Sequence, residues 1–147
     1  CPPAGALLIR KPPSGSTPAS AMRAVDTNLL IRLLTGDDEA QARVAEDFIA
    51  AGAWIPHIVL AEATWVLASA FELSRGKIAE AVDMLLNHNS LAIQDSEVVT
   101  AALARFREHA GVEFSDCLAL ETARRAGHLP FGTFDRRFSR LPGVQRL

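Results

Sequence analysis

From residue 22 onward, short strand-like runs alternate with longer helical periods, and this alternation constrains the architecture more than any other feature. Residues 23–26 read as a strand, and the Asp26-Thr27-Asn28 turn leads into a helix that stops at Thr35-Gly36. Asp37-Asp38-Glu39 opens an acidic helix N-terminus that suits the helix dipole. Its apolar positions Ala40, Val44, Ala45, Phe48 and Ile49 recur at helical spacing until Gly52. Residues 53–55 read as a second strand closed by Pro56, and 57–71 is apolar and long enough to predict a buried helix. Ser74 is placed to cap a further helix ending near Asn87, and 91–93 is a third strand. Asp95 or Ser96 starts a helix through His109, broken by Gly111, and residues 114–126 form another, ended by Gly127. Residues 130–134 read as a fourth strand with a short helix after Asp135, and 144–147 as an edge strand. Strands that alternate with helices in this way predict an α/β fold with a parallel sheet of four to five strands and helices on both faces. Ligands of such sheets bind outside the carboxyl ends of the strands.

Residues 1–21 stand apart. They hold five of the eight prolines, no acid and no helical or strand period, so disorder is the expectation. The apolar core of a secretory signal is missing. The segment reads as an added extension or as translation from upstream of a natural start at Met22. Residues 22–147 then form one domain, with 13 basic against 17 acidic residues. No apolar run reaches the roughly 18 residues of a membrane span. The two cysteines, Cys1 and Cys117, share no metal spacing and suggest no disulfide framework, which suits a cytoplasmic protein.

Charge is unevenly spread. From Arg124 onward there are six arginines and one acid, Asp135. Such a flank suits a phosphate backbone, although a solvated surface accounts for it equally well. His57, His88, His109 and His128 share no ligand spacing, so zinc is not expected. Trp54 and Trp65 read as core or interface residues, and Cys117 as a small core residue.

Four carboxylates draw attention. Asp26 ends one strand and Asp135 follows another, at the rim where α/β sheets bind ligands, and each has a helix-capping alternative. Asp116 lies in the first turn of its helix, where the dipole favours an acid. Glu62 has Ile58, Val59, Trp65 and Val66 at helical spacing, so it lies in an apolar stripe. A buried acid there demands an arginine or a metal ion opposite it. Several carboxylates in one pocket would call for a hard cation, Mg²⁺ or Mn²⁺.

The runs VDTNLL at 25–30, LAEATWVL at 60–67, FSDCLAL at 114–120 and GTFDRRF at 132–138 resemble, in order, the four motifs of PIN-domain ribonucleases. The likeness is greatest to the VapC-type toxins of toxin–antitoxin pairs. It implies a three-layer sandwich, hydrolysis of RNA phosphodiester bonds, and Asp26, Glu62, Asp116 and Asp135 as the acidic active-site residues. Asp26, Asp116 and Asp135 would hold Mg²⁺ or Mn²⁺, and Glu62 would act through water. Thr133 resembles the hydroxyl residue that accompanies the last acid, with Asn28 and Ser115 as supporting polar groups. Arg124, Arg136 and Arg137 would contact RNA phosphates. The resemblance further implies a VapB-like antitoxin partner and a homodimer. A PIN-like module that binds RNA without cutting it is the alternative. A phosphoacceptor domain needs a late-strand lysine, whereas the only lysine after the proline-rich segment is Lys77, in a helix. A haloacid-dehalogenase-like phosphatase needs DxD where this chain has Asp26-Thr27-Asn28.

Overall fold

The structure, a computed structural model, describes Leu7 and residues 22–147. The expectations for the proline-rich segment, including Cys1, lie outside the described residues. The chain divides into two compact units, Cys1–Gln94 and Asp95–Leu147.

The first unit carries a parallel three-stranded sheet in the order β1 (Arg23–Ala24), β2 (Ala53–Ile55), β3 (Leu91–Ile93). Ala24 pairs with Trp54, and Trp54 with Ala92. Parallel neighbours require crossovers, and helices supply them: α1 (Thr27–Thr35) and α2 (Glu39–Ile49) lie between β1 and β2, and α3 (His57–Ser69) and α4 (Arg75–Leu86) between β2 and β3. The ends of α1 follow its local chemistry. Asp26 caps the start, and Gly36 ends the helix at φ 62°, a left-handed conformation that costs a residue without Cβ little. Asp38 caps α2 and Ser74 caps α4 through their side chains. Leu30, Leu34, Ile55, Leu60, Leu67 and Leu85 are fully buried and form the core of this unit.

One expectation for α3 is corrected. It carries apolar side chains on more than one face, yet it is not buried all round, because Ile58 is 77% exposed and Trp65 59%. Sequence period assigns residues to a face; only a packed neighbour covers that face, and here Leu60, Ala63, Thr64 and Leu67 form the covered side.

The second unit pairs α5 (Ser96–Glu108) with α6 (Phe114–Ala126), and Phe106 meets Phe114 edge-on at 5.9 Å between ring centroids. A two-stranded parallel sheet follows, β4 (Phe131–Thr133) with β5 (Val144–Arg146), in the register Thr133 to Arg146. The 3₁₀ turn Phe138–Arg140 connects the strands, and Phe138 packs on Phe131 at 5.3 Å. The five strands expected from sequence are therefore present and parallel, but their hydrogen bonds form sheets of three and two rather than one continuous ladder. Strands this short exchange few ladder bonds, so which edges pair is decided by the neighbouring elements rather than by strand propensity. Cys117, fully buried on α6, is a small core residue as expected.

Candidate active site

In the first unit, Asp26 is exposed and its Oδ1 accepts the Leu29 N–H at 2.9 Å. The capping role is therefore real, and it occupies one oxygen of the carboxylate. Glu62 is exposed on α3, between Ile58 and Trp65 on the uncovered stripe. The expectation that it is buried opposite a positive partner is corrected: water reaches it, so no counter-charge is required. Asn28 is exposed and lines an apolar groove of about 320 Å³ with Leu29, Arg32, Ala40, Gln41, Val44 and Ala45.

In the second unit, Asp116 is half-buried at the third position of α6. Its side chain makes no cap hydrogen bond; Glu113 occupies the cap position, also without a side-chain bond. Burial raises the Asp116 carboxyl above its ordinary pKa, and the charges of Glu113 and then Asp135 raise it further. Glu113 is not among the four sequence candidates, although an acid three residues before another at a helix start is a visible signal. Asp135 is exposed, and its Oδ1 accepts the N–H groups of Arg137 at 2.8 Å and Phe138 at 3.0 Å, which caps the 3₁₀ turn. Thr133 Oγ1 accepts the Asp135 N–H at 3.0 Å, so the hydroxyl does hold the backbone that presents the acid. Ser115 is half-buried beside Asp116.

The arginines separate by partner. Arg124 is committed inside the unit: its Nε meets Glu121 at 3.2 Å, and its Nη2 donates to the Pro142 carbonyl at 2.6 Å. Glu121 is buried and also meets Arg105 at 3.3 Å. This Arg–Glu–Arg group escaped the sequence reading, because Arg105 and Glu121 meet only where α5 packs on α6. Arg125 pairs with Glu97. Arg137 lies over Gly111, where a Cβ would stand 2.9 Å from its Cδ. Arg136, Arg140 and Arg146 are exposed.

The donor set suits a hard divalent cation in kind. The acids offer carboxylate oxygens, and Asp116 carries a like-charge load that a cation would relieve. Among the described residues, no three Asp, Glu, His or Cys side chains are grouped to hold a metal by themselves. Mg²⁺ is ordinarily held by one or two carboxylates, with water and substrate phosphate completing the shell, so two acids with free oxygens satisfy its protein share.

A family model for the PIN domain matches residues 23–144, from β1 into β5, and covers all four acidic motifs. The chain belongs to the PIN-domain family. PIN domains are generally metal-dependent nucleases, so membership supports a hydrolase that acts on nucleic acid and a divalent metal as its usual companion. The α/β architecture with parallel strands agrees with that family. No significant match was found among curated proteins or solved structures. Among the described residues of this PIN-domain protein, no helix is long and apolar enough to cross a membrane.

Proposed function

We propose that this PIN-domain protein is a Mg²⁺- or Mn²⁺-dependent endoribonuclease, the VapC-like toxin of a type II toxin–antitoxin module, and that Asp26, Glu62, Asp116 and Asp135 carry its reaction. The observation that carries the reading is Asp116. It stands in a family of nucleases, spends no oxygen on capping, and is crowded by the acids Glu113 and Asp135. A structural acid gains from such a position only if something positive joins it.

Asp26, Asp116 and Asp135 are the proposed ligands, the first and last through the oxygen left free by capping. A bound divalent cation supplies Lewis acidity and a water of lowered pKa. Glu62, open to solvent, is suited to orient that water and accept its proton. Thr133 steadies the backbone of Asp135. Arg136 and Arg137 are offered to RNA phosphates, whereas the charge of Arg124 is spent on Glu121 and Pro142. A VapB-like antitoxin and a second copy of the chain are the proposed protein partners. Ile58 and Trp65, exposed on either side of Glu62, support a protein partner of one kind or the other, since large apolar side chains left in water near one another commonly mark one. The cytoplasm is the proposed site of action.

Purified protein incubated with single-stranded RNA is expected to cut it with Mg²⁺ or Mn²⁺ and to stop with EDTA. Asp26→Asn and Asp116→Asn are expected to lower the rate at least ~100-fold and to relieve growth arrest on expression. Protein that binds RNA but leaves it intact with either metal would establish the non-catalytic alternative.

A further inference from the structure

Phe134 is the most exposed large apolar side chain among the described residues, at 80%. It directly precedes Asp135 and directly follows β4. Side chains alternate across a strand, so Phe131 and Thr133 point to one side of the β4–β5 ladder and leave Gly132 open on the other. The pairing puts Gln145 beside Gly132, and the Leu147 N–H donates to the Thr133 carbonyl at 2.9 Å. Leu147 reaches over Gly132, where a Cβ would meet its Cδ1 at 3.6 Å, and it is itself 66% exposed. Gly132, Gln145 and Leu147 are exposed, so one side of this small sheet is open, and Phe134, also exposed, stands just past the end of β4. Phe131 shows the contrast: on the other side it is half-buried and packed on Phe138.

The charge around this surface selects its occupant. Residues 131–147 carry four arginines, Arg136, Arg137, Arg140 and Arg146, all exposed, against one acid, Asp135. A ring in water within an arginine-rich segment, with exposed Arg136 two residues on, matches the two parts of an unpaired nucleotide, a base with a π-face and a phosphate. The geometry points to Phe134 as a stacking platform for an unpaired base of single-stranded RNA, with Arg136 on the neighbouring phosphate. A duplex, whose bases are already stacked, cannot use it. The inference rests on the reading of the chain as a ribonuclease and adds a binding residue to it: Phe134, holding one unpaired base beside Asp135.

The test uses a short single-stranded RNA carrying one 2-aminopurine, whose emission falls when the base stacks on an aromatic ring. Binding is read by emission and by anisotropy in an Asp116→Asn background, and cleavage in the otherwise native chain. Phe134→Tyr is expected to behave like the parent protein. Phe134→Ala and Phe134→Leu are expected to lose the emission change and bind about 5- to 150-fold more weakly, the range of one base–aromatic stack. In cleavage they should raise KM with kcat largely kept. A duplex of the same sequence should be insensitive to all three changes. Equal binding and KM for Phe134→Leu and the parent would overturn the platform, because aliphatic bulk would then suffice, as it would for a peptide partner. Cleavage that survives with Phe134 irrelevant removes the platform and leaves the nuclease. Stacking that depends on Phe134 in a protein that never cuts keeps the platform and removes the nuclease. Protein that neither binds nor cuts removes both.

Discussion

Glu121→Ala removes the carboxylate that Arg105 and Arg124 share inside the second unit. Two charge-assisted hydrogen bonds, at 3.3 and 3.2 Å, disappear with it. Each is worth about 1.5–3 kcal/mol before compensation. The arginine side chains are 34% and 35% exposed, so once unpaired they regain water and recover part of that loss. The net cost is about 2–3 kcal/mol, at or below the lower end of the 3–5 kcal/mol or so typical of breaking a fully buried pair. For a chain of this size that corresponds to a fall of about 5–10 °C in Tm. Arg124→Ala should cost a similar amount by another route: Glu121, only 6% exposed at its side chain, keeps Arg105 alone, and the Pro142 carbonyl loses its donor. Because the two variants break one shared contact, the double variant should cost less than their sum, with a coupling of about 1–2 kcal/mol. Urea unfolding followed by circular dichroism measures all three. Single variants within about 0.5 kcal/mol of the parent protein, the range of ordinary surface substitutions, would refute the reasoning.

Three further predictions concern groups with a defined environment. Asp116 has a folded pKa raised above its unfolded value, so the metal-free protein loses stability as pH rises from the ordinary aspartate range through that raised value. Asp116→Asn should therefore melt higher than the parent at neutral pH in EDTA, with the gap closing in acid, and added Mg²⁺ should raise the Tm of the parent more than that of the variant. Burial lowers the pKa of His88, whose Nδ1 accepts the Ser90 N–H at 3.1 Å, so its contribution is complete above about pH 6.5 and is lost as pH falls through the lowered folded value; His88→Gln should flatten that limb of a Tm-against-pH curve. Gly143 sits at φ 89° with Arg124 Nη2 3.2 Å from where a Cβ would be, so Gly143→Ala should cost about 1–3 kcal/mol in urea unfolding, combining backbone strain with displacement of Arg124.

Much of the backbone could be read residue by residue. Asp26, Asp38 and Ser74 cap helices, and Gly36 and Gly127 end them, because capping and left-handed geometry are settled within one turn of chain. The order of strands and helices followed from local period, and the four motifs led to the family that the match over residues 23–144 confirms. The weights of the acids were not legible. Glu62 had the strongest claim in sequence because its helical neighbours are apolar, yet the stripe around it is open to water. Asp116 had a ready capping explanation, yet its side chain caps nothing and is pressed by Glu113 and Asp135.

The sequence by itself determined the alternating α/β plan, the helix ends and the family, all of which depend on contacts between residues close along the chain. Tertiary structure alone decided which faces are covered, that β4 pairs with β5, that Arg105 reaches Glu121 across sixteen residues of chain, and that Phe134 stays in water beside Asp135. Period and propensity say which side chains share a face. Burial, ion pairing and the pKa of a carboxylate depend on what another element brings against that face.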